Sequence, residues 1–161
     1  METQVKNETL ISKDQLLTHW QGHRALTRRV IESFPEKELF TFNIGGMRTF
    51  AEMVGELIGI AGPGVKGLAT NEWKELEEKD PSKGSKAKLL EVWDKITEKI
   101  DEFWPQIADE RFQEKMLAFG MYEDKGNCTL LYFIDNEIHH RGQGYVYLRA
   151  LGIEPPAFWE R

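Results

Sequence analysis

A chain of 161 residues has the size of one domain, and 40% apolar residues with 14 glycines is the composition of an ordinary globular protein able to fill a core. Acidic residues outnumber basic ones by 27 to 21, leaving a net charge of −6. That excludes the broad positive field that phosphate-backbone binding requires, so nucleic acid is not an expected partner. Cys128 is the single cysteine, which rules out an intrachain disulfide and a multi-cysteine metal site; it is expected to pack as a small hydrophobe.

Residues 1 to 10 are polar and mixed in charge, without the apolar stretch of a signal peptide. The longest apolar run, Leu57 to Gly62, is too short to cross a bilayer, so the expectation is a cytoplasmic protein with no membrane partner. Helical periodicity begins at Ser12, whose spacing to Gln15 is that of a capping box. Leu16, Trp20, His23, Thr27, Val30 and Phe34 then form one face of a helix that ends before Pro35. A second capping box, Thr49 with Glu52, opens a helix through Phe50, Met53, Leu57 and Ile60, which Gly62-Pro63-Gly64 should end or kink.

The polar Glu-Lys runs over 72 to 88 read as solvated surface leading to a third helix. Its stripe is Leu89, Val92/Trp93, Ile96, Ile100 and Trp104, stopped by Pro105. Residues 106 to 126 read as a connection with one short turn of helix. Asn127 is expected to cap a fourth helix that runs to about Leu151, where Gly152 and Pro155-Pro156 end it. Four amphipathic helices without a convincing strand pair predict an all-α, single-domain four-helix bundle over residues 1 to 161, with connections long enough for a crossover.

The four histidines separate by face. His23 lies within the first helix's apolar stripe, and His140 lies on the fourth helix's stripe of Leu130, Phe133, Glu137, Gly144, Tyr147 and Leu151; His19 and His139 flank or oppose these faces. Two imidazoles and a carboxylate thus aim at the interior, where unpaired polar groups are costly. Either they satisfy one another in a packed polar layer, or they hold a metal. Asn136 and His140 are four apart and Glu137 and His140 three apart, so either pair can converge on one ion. Only Glu137-x-x-His140 has the spacing of a di-iron bundle motif, where two such motifs and two further glutamates are needed, so a di-iron site is not expected. Gly142 and Gly144, costly within a helix, imply close helix approach or room for a ligand.

The string Glu137-Ile138-His139-His140-Arg141-Gly142-Gln143, followed by Tyr147-Leu148-Arg149-Ala150-Leu151-Gly152-Ile153-Glu154-Pro155-Pro156, resembles the DinB-like (YfiT-like) superfamily of small bundle proteins. Trp20-Gln21-Gly22-His23-Arg24 and Thr49-Phe50-Ala51-Glu52-Met53 extend the likeness over essentially the whole chain. The resemblance implies a four-helix bundle holding a divalent metal, often nickel or zinc, on one histidine of the second helix and two histidines four apart on the last. This sequence keeps His140; the slot four residues earlier is Asn136, and the second-helix slot falls on Glu56. Glutamate is a good ligand and neutral asparagine a poor one for zinc or nickel, so an oxygen-richer site or an empty one is implied, with His23 the candidate to replace the missing imidazole.

Characterised relatives include transferases and isomerases that use a low-molecular-weight thiol. The resemblance therefore implies a divalent-metal-dependent enzyme, a thiol S-transferase or hydrolase acting on a small electrophile. In that reading Glu137 acts as a base or orients His140 through its other ring nitrogen, and Arg141 meets a carboxylate of thiol or substrate, with an interhelical salt bridge as its alternative. The competing readings are a non-catalytic small-molecule-binding or stress-response bundle with a degenerate metal site, and a homodimer with Phe158-Trp159 packed on a partner chain.

Overall fold

The computed structural model describes residues 9 to 161, so the polar leader lies outside the described residues up to residue 8. Among the described residues there are five α-helices: α1 (Lys13–Ser33), a short α2 (Glu36–Thr41), α3 (Phe50–Thr70), α4 (Lys86–Phe103) and α5 (Gly126–Ala150). The four long ones are the bundle foreseen from the periodicity. Both expected capping boxes form, Ser12 with Gln15 and Thr49 with Glu52, each satisfying two backbone donors that a helix start leaves free. The fourth helix starts at Gly126, one residue before the expected cap, and Lys125 there makes no side-chain cap.

Pro63 does not end α3, which continues to Thr70. An interior proline costs about 3 kcal/mol or more. Ile60, Ala61, Val65 and Leu68 on either side are fully or almost fully buried, and burying a large aliphatic side chain contributes about 1.5–3 kcal/mol. Packing outweighs the local break.

Between α4 and α5 lie two 3₁₀ turns, Trp104–Gln106 directly after α4 and Asp109–Phe112, and an antiparallel hairpin of β1 (Lys115–Ala118) and β2 (Tyr122–Lys125) that the sequence reading did not anticipate. Phe119 and Gly120 both have positive φ, 55° and 69°, and Met121 N–H donates to the Ala118 carbonyl at 3.0 Å, the geometry of a type I′ turn. Phe119 tolerates that backbone because its ring is buried against Trp73 and Phe133.

α1 and α3 each pack against both α4 and α5. The consecutive long helices α1 and α3 therefore stand at opposite corners of the bundle, a crossover rather than an up-and-down winding. The polar segment between α3 and α4 is mostly exposed, as expected, yet it lies close along α3: a Cβ at Gly59 would stand 2.1 Å from the Glu77 carbonyl oxygen, so only glycine admits that approach.

Two apolar clusters fill the interior. One holds Trp20, Leu68, Ile100, Trp104, Leu130 and Phe133; the other holds Val30, Phe34, Phe50, Met53, Trp93 and Tyr147. Along α1 and α5 the residues between them are polar and buried: His23, Arg24 and Thr27 on α1, and Asn136, Glu137, His140 and Arg141 on α5. A polar layer thus crosses the bundle at mid-height.

Candidate functional site

The polar layer divides into two clusters on different sides of α5. The first gathers at Glu56 of α3. Asn136 Nδ2 donates to Glu56 Oε1 at 3.0 Å, and His140 Nε2 lies 3.2 Å from the same oxygen. The other carboxylate oxygen is paired to Arg48 Nη2 at 2.6 Å, and that guanidinium is 3.5 Å from His140 Nε2. The three residues that the resemblance aligned with the ligand slots, Glu56, Asn136 and His140, therefore meet at one point. α3 supplies the carboxylate two turns into a helix fixed by its capping box, and α5 supplies the amide and the imidazole one turn apart.

Arg48 was not foreseen. It precedes the Thr49 cap, where no helical period applies, and its backbone is held by α5, since Tyr147 Oη donates to the Arg48 carbonyl at 2.8 Å. Its side chain is 41% exposed and also faces Glu78, at 3.8 Å, from the segment lying along α3.

Burial pushes the Glu56 carboxyl up, but hydrogen bonds from Asn136 and Arg48 and the nearby positive charges more than offset it, and the net shift is downward. Burial pushes the His140 imidazole below its ordinary value, against the pull of Glu56. An ionised carboxylate thus faces a neutral imidazole. His140 Nδ1 is buried without a hydrogen-bond partner.

The second cluster corrects three expectations. His23 is buried, but not beside Glu56: its Nδ1 accepts from Arg141 Nη2 at 2.9 Å, and its Nε2 lies 3.1 Å from His19 Nε2 and 3.0 Å from Arg161 Nη1. With both ring nitrogens engaged on the α1 side, it makes no bond to Glu56, Asn136 or His140 and does not replace the missing imidazole. Glu137 does not orient His140 either. It accepts from Thr27 Oγ1 at 2.7 Å and pairs with Arg24 at 3.4 Å, on the α1 side of α5. Arg141 spends its donors on His23 and Thr27, reaching the His23 carbonyl at 3.2 Å and Thr27 Oγ1 at 3.1 Å. It is an interhelical tie rather than a group facing a substrate. Arg24, fully buried, adds the Trp93 carbonyl at 3.3 Å and stacks 3.3 Å from the Trp93 ring centroid. The spacing rule that joined Glu137 to His140 fails here because residues three apart on α5 diverge to different neighbours.

Cys128 is exposed rather than packed. It lines a pocket of about 340 Å³ with Thr129, Tyr132, Phe133, Tyr122 and Met121. Tyr132 is one helical turn before Asn136, so this pocket adjoins the Glu56 cluster along α5.

The donor set can be tested against a divalent cation. Glu56 and His140 are ligand types for a borderline ion, and their 3.2 Å separation is close to the roughly 3.3 Å between two ligands each about 2.0 Å from a tetrahedral centre. Asn136 now presents Nδ2; a half-turn of its amide presents Oδ1, a donor suited to harder cations. Among the described residues no three His, Cys, Asp or Glu side chains gather as a metal site. The set fits a divalent ion on one carboxylate, one imidazole and one amide oxygen, weaker than three imidazoles.

A crossover bundle of four long helices with a carboxylate–imidazole–amide cluster between its third and fifth helices defines the class of protein. The chain belongs to the DinB family, whose model matches residues 1 to 161. Solved structures share the fold. A DinB-like protein from Bacillus cereus superposes with a TM-score of 0.73 at 18% identity, covering 91% of this chain and 97% of that one. A DinB-like protein from Bacillus subtilis, YjoA, gives 0.69 at 21% identity over 91% and 99%. YfiT from Bacillus subtilis, described as a probable metal-dependent hydrolase with an unusual four-helix bundle topology, gives 0.62 at 16% identity over 95% of each chain. No curated protein matches at a significant level.

Proposed function

We propose that this chain is a divalent-metal-dependent enzyme of the DinB family, a hydrolase or low-molecular-weight-thiol transferase that works on a small electrophile at the Glu56–Asn136–His140 cluster. The convergence of Asn136 and His140 on one oxygen of Glu56 carries the reading. The description of YfiT as a probable metal-dependent hydrolase supports it. When bound there, a divalent ion supplies Lewis acidity toward a carbonyl or a lowered pKa for bound water or thiol. Glu56 and His140 would hold it, in the protonation states they already have, and the Asn136 carbonyl would complete the protein's share. Arg48, half in solvent, can receive a substrate carboxylate once its guanidinium turns away from Glu56. The pocket beside Tyr132 offers room for the electrophile's apolar part.

A second reading has one observation in its favour: the Arg48 guanidinium already neutralises Glu56, as in a degenerate site that binds a small molecule without metal chemistry. Elemental analysis of protein purified without an affinity tag separates the two. About one equivalent of nickel, zinc or manganese, lost in His140→Ala, supports the enzyme. Metal-free protein that takes up no added ion leaves only the binding reading. A thiol-consumption assay with a generic electrophile then distinguishes transferase from hydrolase.

A further inference from the structure

Glu56 is an acceptor shared between interior and exterior. Its Oε1 faces the two α5 donors, whereas Oε2 is taken by Arg48, whose guanidinium is also 3.5 Å from His140 Nε2. A guanidinium within hydrogen-bond reach of the carboxylate and next to the imidazole carries positive charge at the place a divalent ion needs. Two cations held that close together repel each other. The same guanidinium has a second acid within reach. Glu78 Oε2 is 3.8 Å from Nη1, on the exposed segment along α3, so a rotation of the Arg48 side chain exchanges one carboxylate for another without leaving the charge unpaired. The backbone stays fixed meanwhile, because Tyr147 holds the Arg48 carbonyl.

We propose that Arg48 is a built-in competitor for the cation site: paired with Glu56 it closes the cluster, and moved onto Glu78 it opens the cluster to a divalent ion. The inference rests on the metal reading above and assigns it a gate that sets metal affinity. Glu78 is then the docking point of the open position, and the two acids act on metal binding through the same arginine.

The test is a set of dissociation constants for Mn²⁺ and Zn²⁺, measured by calorimetry on tag-free, chelator-treated protein. Arg48→Gln should tighten binding at least tenfold, whereas Arg48→Lys, which keeps the charge, should stay within about threefold of the unsubstituted chain. Glu78→Gln should weaken binding severalfold with Arg48 present and leave it unchanged in the Arg48→Gln background, the signature of coupled residues. His140→Ala in the Arg48→Gln background should abolish binding, which locates the ion. Equal affinities for the unsubstituted chain and Arg48→Gln, both lost with His140, would leave the metal site standing and overturn the gate. No uptake by either protein at millimolar metal would overturn the metal reading and the gate together. Additive effects of the Glu78 and Arg48 substitutions would overturn the docking role of Glu78.

Discussion

His23 shows how far a single residue could be read from the sequence. Its place in the α1 stripe gave its burial correctly, but not its neighbours, because Arg141 and Arg161 come from parts of the chain that no local period relates to α1. Those neighbours fix its chemistry. Burial first, then the charges of Arg141, His19 and Arg161, lower its pKa from 6.5 to about 3. An unfolded chain binds this proton near pH 6.5 while the folded chain refuses it until about pH 3, so between those values the unfolded state holds more protons. Stability therefore falls as pH falls through that window, with a slope of about 1.4 kcal/mol per pH unit for one group. Urea unfolding at pH 7, 6, 5 and 4 should show that loss, and His23→Gln, which keeps an acceptor for Arg141, should remove about one proton's worth of the slope. Identical slopes for the two proteins would mean that His23 titrates normally in the fold. By contrast spacing alone paired Asn136 with His140 on the last helix, whereas Glu56 joined them only through resemblance, because only three-dimensional packing brings α3 and α5 together at those levels.

At the scale of elements, the periodic helices and their capping boxes were readable because each rests on spacing within one segment. The failures lie where that spacing is overridden by packing or is missing altogether. Pro63 stays helical because the flanking residues are buried in the core. The hairpin was hidden because β2 is Tyr-Glu-Asp-Lys, exposed throughout and without apolar alternation. The two interior glycines of α5, Gly142 and Gly144, looked alike in sequence and are opposite in structure. A Cβ at Gly144 would stand 2.5 Å from the Phe50 ring, which is stacked on Phe34 with centroids 4.8 Å apart and cannot give way. A Cβ at Gly142 would meet nothing within 4 Å. Gly142→Ala should thus stabilise the protein by about 0.5–1 kcal/mol through the better helix former. Gly144→Ala should destabilise it by about 1–3 kcal/mol by prising α5 from the start of α3, the helix that carries Glu56. Thermal melts of both variants check the pair, and equal shifts would show that Phe50 yields.

For the whole molecule the decisive feature is that two apolar clusters are separated by a polar layer, and the Arg24–Glu137 pair lies at its centre with side chains 0% and 1% exposed. Desolvating two charges costs several kcal/mol each, and their attraction offsets this only with further hydrogen bonds. Here these come from Thr27 to Glu137 and from Arg24 to Thr97 and the Trp93 carbonyl, so the pair ties α1 to α5 and to α4 at one level. Removing Arg24 strips buried Glu137 of its paired charge and leaves it only the Thr27 hydroxyl, whereas removing both lets apolar side chains join the two clusters at that level while Arg141 stays tied to His23 and Thr27. Arg24→Met should accordingly cost about 3–5 kcal/mol, and Arg24→Met with Glu137→Met should recover most of that loss. The recovered protein is also the control for the site: Glu137 lies on the α1 side of α5, away from His140, so metal affinity in the double variant should match that of the unsubstituted chain. Loss of metal binding in a stably folded double variant would show that the layer acts as one unit and that Glu137 supports His140 after all.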